Sequence, residues 1–242
     1  MVEKMFPTEE IELPSKGLIY EENNPLRSGK IEIKYMTAKE EDILSNQSYI
    51  EKGIVLDKLL ESLIVNKKIK VDDLIVGDKN ALFIASRVLG YGKNYEFDVG
   101  GESQVIDLTT LENKEFDETS ITLGLNSFSF TLPSTGVEIK YKLLTGKDEK
   151  AITRELEGLK KLNPNESPEL TTRLKHMILS VEENSEPKHI REFVDNRFLA
   201  MDSRAFRGHI KQTQPDVNLT YISNKGKEVS LPIGLNFFWP DY

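Results

Sequence analysis

The stretch FSFTLPSTGVEIKY, residues 128–141, decides how this chain is read. Phe128, Phe130 and Leu132 alternate with polar residues, and Val137, Ile139 and Tyr141 do so again. Period two on both sides of a Pro-Ser-Thr-Gly turn is the pattern of a half-buried β-hairpin, with Gly136 freeing the turn. Much of the stretch has already been written once. LPSKG (13–17) anticipates LPSTG (132–136), with Gly17 in the place of Gly136, and IEIKY (31–35) anticipates VEIKY (137–141). The first version differs by the polar, Asn- and Pro-containing excursion LIYEENNPLRSGK (18–30) between turn and second strand.

One match of four residues is ordinary in a Lys- and Glu-rich chain, so collinear matches matter more. TAKEEDI (37–43) answers TGKDEKAI (145–152), and VDDLIVGDKNALF (71–83) answers VDNRFLAMDSRAF (194–206). YEFDVGGESQVIDL and LTYISNKGKEVSLPI each place two extended runs around a Gly-containing turn, through Gly100 and Gly101 in one case and Gly226 in the other. Together these predict an internal duplication, with units at 1–118 and 119–242, each a β-hairpin, several helices and a closing β-hairpin. The fold class is α+β.

Local signals fill in the helices. Thr37 with Glu40, and Thr145 with Asp148, have capping-box spacing, and the shorter Asp is expected to close its box less well. Asp78 and Asp202 precede helical runs and read as N-caps. IVLDKLLESLIV places Ile54, Leu56, Leu59, Leu60 and Leu63 mainly on one face of a buried helix. In SPELTTRLKHMILSVEE, Ser167 reads as N-cap and Pro168 as first helical residue, with Leu170, Leu174, Met177 and Ile178 at helical spacing.

Composition bounds the function. Of 242 residues, 38% are hydrophobic and 30% charged, which fits a globular protein. There is no cysteine, hence no disulfide framework and no thiolate metal site. No apolar run approaches a membrane span, and MVEKMFPTEE lacks the apolar region of a signal peptide, so a cytosolic compartment is expected. The net charge of −8 argues against nucleic acid as a partner. The one mildly basic stretch, 188–211, has six Lys or Arg against three acids and reads as a charged helix face.

The order of ELPSKGLIY, TAKEEDIL, LIVGDKNALFIASRVLGYGKNYEF and a terminal LPIGLNFFWPDY resembles the baseplate hub assembly chaperones of T-even-type contractile-tailed phages. The resemblance covers nearly the whole chain. It implies a non-enzymatic assembly factor that binds other baseplate hub or tail proteins in the host cell cytoplasm. The alternative is a structural hub component retained in the virion baseplate. Members of that family often carry Cys pairs in hairpins corresponding to DVGGESQ and SNKGKE, which implies a zinc ribbon in those members; this chain has glycines in those turns and no such staple is expected.

Motifs of chemistry are few. No P-loop, dinucleotide fingerprint, His-Glu-x-x-His or nucleophile-elbow pattern occurs. His176, His189 and His209 have no ligand spacing and read as boundary residues, and Ser15 and Ser134 read as turn serines. No catalytic residue, cofactor, metal or nucleic acid is expected. The functional candidate is the end of the chain, where Phe237, Phe238, Trp239 and Tyr242 crowd together. Either these rings close the core of the second unit, or they are anchors offered to a partner. In the second case, truncation after Asn236 removes binding and leaves the far-UV CD intact.

Overall fold

The computed structural model describes residues 7–98, 101–165, 167–222, 226 and 228–238. It is α+β, and the first half follows the expected order. Strands β1 (Thr8–Glu12) and β2 (Lys30–Lys34) pair antiparallel with Ile11 opposite Ile31. Four helices follow: α1 (Ala38–Leu44), α2 (Gln47–Glu51), α3 (Val55–Leu63) and α4 (Val76–Tyr91). A second hairpin, β3 (Asn94–Asp98) with β4 (Ser103–Asp107), closes the unit.

The second half repeats this order with one addition. Strands β5 (Phe128–Thr131) and β6 (Glu138–Tyr141) pair with Phe128 opposite Tyr141 and Phe130 opposite Ile139. Then come α5 (Gly146–Leu162), α6 (Glu169–Met177), strand β7 (Ile178–Val181), α7 (Pro187–Asn196) and α8 (Ala200–Thr213), and last the hairpin of β8 (Thr220–Ile222) and β9 (Glu228–Ser230). The turn glycines Gly101 and Gly226 have φ of 84° and 71°, where only glycine is unstrained; Gly100 lies outside the described residues.

The added strand is a correction. Leu174, Met177 and Ile178 continue a helical spacing, but α6 stops at Met177 and Ile178–Val181 pairs with the free edge of β6. Ile178 and Val181 are buried there, and β-branched side chains suit a pleated surface better than a crowded helical turn. Helix α6 also begins later than expected. Pro168 stands at its cap position, and no side chain caps it.

The excursion after the first LPS turn is less polar than its composition suggested. Ile19, Tyr20 and Leu26 are all buried in the core. Its two ends touch through Gly17: a Cβ there would lie 2.5 Å from the Arg27 carbonyl oxygen, and φ is +75°. Gly136, at +72°, has open space around it, as a plain hairpin turn requires.

One hydrophobic core runs through both halves, from Leu13 and Ile33 to Phe206 and Phe238. The boundary at 118/119 is crossed from the far end of the chain. Past Pro215, described residues leave the second half and meet the first: Val217 bridges Asn113, and Phe237 and Phe238 meet Tyr95 and Phe83. Asp216 takes the Lys114 N–H at 2.8 Å on its backbone carbonyl and the Asn80 amide at 3.0 Å on its side chain. Asn218 donates to the Glu112 carbonyl at 2.8 Å. Among the described residues no helix is long and apolar enough to cross a membrane.

Candidate functional site

The residues singled out in the two LPS turns do meet, though in another role. Asp78 and Asp202 are not N-caps. They are the third residues of α4 and α8, whose cap positions are Ile75 and Leu199. From there each carboxylate reaches back across the fold to grip its turn. Asp78 accepts the Ser15 N–H at 2.9 Å, the Ser15 hydroxyl at 2.7 Å and the Tyr20 hydroxyl at 2.6 Å. Asp202 accepts the Ser134 N–H at 2.7 Å and the Thr135 hydroxyl at 2.9 Å.

The two clamps differ in depth. Burial raises the Asp78 carboxyl to about 6 against its three donors, and burial beside Asp78 pushes the Tyr20 phenol well up. Asp202 has no accessible surface but lies near the periphery. What desolvation it feels is outweighed by bonds from Ser134 and Thr135, and its carboxyl falls below the ordinary range. Ser15 is fully buried, so its hydroxyl is a structural donor with no approach for a substrate.

The capping boxes are present as expected. Glu40 accepts the Thr37 N–H at 2.9 Å, and Asp148 accepts the Thr145 N–H at 3.0 Å, so the shorter side chain closes its box nearly as well. Each box also takes a lysine from the preceding strand region, Lys34 at 2.7 Å and Lys142 at 2.6 Å. Burial opposes charge on Glu40, but Lys34, Ser62 and Thr37 overcome it and hold its carboxyl at about 2. Asp148 is lowered in the same way, against its own desolvation, by Lys142 and Thr145.

The histidines sit at boundaries. His176 Nε2 is 2.9 Å from Glu155, and His209 Nε2 is 2.9 Å from the Tyr141 hydroxyl with its ring stacked on Phe130. His189 is half-buried and its Nε2 has no partner among the described residues. Among the described residues no cluster of three His, Asp or Glu side chains could hold a metal ion.

The terminal aromatics are a correction on two counts. Phe237 and Phe238 are 1% and 0% exposed, so they are not anchors on the surface. They close the core of the first half, where Phe237 meets Tyr95 at 4.8 Å and Phe238 meets Phe83 at 6.1 Å between ring centroids. The buried Arg87 donates to the Phe237 carbonyl at 3.0 Å. Trp239 and Tyr242 lie outside the described residues.

What the sequence did not show is the junction between the halves. The α4 entry and the α5 entry run edge to edge. Val76 N–H donates to the Leu144 carbonyl at 3.3 Å, and Gly146 N–H to the Leu74 carbonyl at 2.9 Å. Two glycines permit this approach. A Cβ on Gly77 would stand 2.0 Å from the Pro215 carbonyl oxygen, and one on Gly146 would stand 2.9 Å from that of Val71. Lys150 ties α5 to the first half through Asp57, at 3.2 Å, and Asp72.

Beside this seam opens a groove of about 280 Å³ between α4, α5, α6 and α8. Its apolar lining includes Val76, Leu144, Leu170, Leu174, Ile210 and Pro215. Of its charged residues, Glu149 is held by both terminal nitrogens of Arg173, at 2.7 and 3.0 Å. Arg207 has no carboxylate partner among the described residues and bonds only the Ser203 carbonyl, at 3.3 Å. An apolar slot beside an unpaired guanidinium can hold an aliphatic side chain next to a negative charge. No family model, curated protein or solved structure matches this chain.

Proposed function

We propose that this protein is a non-enzymatic assembly factor for the baseplate hub of a contractile-tailed bacteriophage, its halves copies of one unit, working in the host cytoplasm on unassembled hub or tail subunits. The sequence resemblance names the system. The observation that carries a binding role is the apolar groove at the seam, where Leu170 stands exposed and Arg207 lacks a carboxylate among the described residues.

Such a factor works through binding free energy. It covers an apolar surface of a subunit, or holds the subunit in a docking-competent shape, until the next subunit displaces it. A seam built from both halves lets one bound segment touch two related units at once, which raises the effective concentration of the second contact.

The test is affinity co-purification of the tagged chain from infected cells before tails are complete, beside a Leu170→Asp variant. Hub or tail subunits retained by the parent chain and lost by the variant are the expected result. Retention of none, or equal retention by both, overturns the reading. Mass spectrometry of purified virions then separates the transient factor, absent from the particle, from a retained hub component present in stoichiometric amount.

A further inference from the structure

The solvent face of α8 gathers cations beside exposed aliphatic side chains. Arg204, Arg207 and Lys211, with the small residues Ala200 and Gly208, fall along one exposed stripe, while Ser203, Phe206 and Ile210 face the core. At the head of the stripe stand Leu199, 50% exposed, and Met201, 74% exposed. Helix α7 adds Lys188 and Arg191, and Arg197 follows it with its guanidinium over the Phe193 ring.

Among the described residues none of these six cations has a carboxylate partner, although the chain carries 40 acids. Elsewhere the picture is mixed: Lys34, Lys142, Lys150, Arg173 and Lys175 are paired, whereas Lys147, Arg154, Lys160 and Lys161 of α5 have no carboxylate partner among the described residues. The acids within the stretch do not compensate. Asp202 is spent on the Ser134 turn, Asp195 is paired with Lys175 at 2.7 Å, and Glu192 alone remains.

The matching edge of the first half shows what such a surface holds. The clamps equate Asp202 with Asp78, hence Leu199 with Ile75 and Met201 with Gly77. Ile75 and Gly77 are buried, covered by the extended run around Leu144 and Thr145 and by Pro215. A second copy of the chain cannot repeat that close contact at α8, because Met201 stands where Gly77 gives clearance, and Ala38 where Gly146 does.

We propose that the α8 face, from Leu199 and Met201 to Arg207 at the groove mouth, docks an acidic segment of a partner protein whose aliphatic side chains cover Leu199 and Met201. This deepens the binding role proposed above and rests on it in taking the partner to be a protein. Unpaired cations beside exposed aliphatic side chains match an acidic, amphipathic polypeptide. Single-stranded nucleic acid would call for aromatic platforms, and the exposed residues here are aliphatic.

The test uses the purified full chain and a labelled peptide of about fifteen residues mixing Glu and Asp with Leu and Ile, read by fluorescence anisotropy. Binding should weaken about tenfold or more between about 50 and 500 mM NaCl. It should fall about tenfold in Arg204→Glu/Arg207→Glu and severalfold in Met201→Ser, and stay unchanged in Lys52→Glu on the first half. A peptide with its aliphatic residues replaced by Ser should bind poorly. No binding, binding indifferent to the α8 charges, tighter binding of a single-stranded oligonucleotide, or self-association through this face in sedimentation each overturns the inference. If the peptide binds here but no hub subunit co-purifies, only the phage reading falls. If hub subunits co-purify equally with Arg204→Glu/Arg207→Glu, only this one does.

Discussion

The Ser15 hydroxyl donates to Asp78 at 2.7 Å across 63 residues of chain, and neither side chain reaches solvent. That bond joins the first turn of the fold to the helix at the seam. It also leaves a carboxylate where charge is costly, since the Asp78 carboxyl is raised to about 6.

A raised carboxyl contributes most when protonated. Its contribution is complete below the unfolded value near 3.8 and is lost as pH climbs through about 6. Replacing Asp78 by Asn removes this titration, because the amide cannot ionise. Urea unfolding of both proteins between pH 4 and 7 should show the parent losing about 2 kcal/mol relative to Asp78→Asn across that window. Parallel pH profiles would show that the Asp78 charge is not desolvated.

Glu40 has the opposite sign. Its folded value of about 2 lies below the unfolded 4.5, so its contribution is complete above 4.5 and disappears as pH falls through about 2. Glu40→Gln should therefore cost about 3 kcal/mol at neutral pH, with the difference from the parent closing in acid. A difference that stays constant from pH 7 to pH 2 would mean packing, and not the Lys34 and Ser62 contacts, carries the effect. Asp148→Asn should show the same direction in the second half.

These residues also show where sequence reading stops. The hairpins were legible because period two survives in Phe128, Phe130 and Ile139, and both boxes because cap and acid are only three residues apart. Asp78 was misplaced because an acid before an apolar run looks the same at the cap and three residues later. Only the contact with a turn 63 residues away tells the two apart. Ile178 was misplaced because helical spacing continued past the point where the edge of β6 competes for the backbone. The seam and its groove left no signal, since Gly77 and Gly146 acquire meaning only from Pro215 and Val71.

Those glycines give the next test. Gly77→Ala drives a Cβ into the Pro215 backbone, which cannot swing aside like a side-chain end, so we expect a loss of about 1–3 kcal/mol or more. Gly208→Ala, in the interior of α8 with open space around it, should gain up to about 1 kcal/mol from helix propensity. Thermal melts of the two variants should move in opposite directions. If both rise, the seam does not close as described.

The chain end gives the last. Were Phe237 and Phe238 surface anchors, truncation after Asn236 would leave the fold untouched. Their rings instead meet Tyr95 and Phe83 of the first half edge to face, and the Phe237 carbonyl accepts from the buried Arg87. Removing them empties an aromatic pocket and leaves that guanidinium short of an acceptor. Phe237→Ala alone should cost about 3–5 kcal/mol. Hydrogen exchange should place the loss in a particular part of the chain. Amides of α4 and of the β3–β4 hairpin should lose protection in the truncated chain, while those of β5 and β6, whose core is built on Tyr141 and Phe206, should lose less. Protection lost first around Phe206 would mean that the tail belongs to the second half after all.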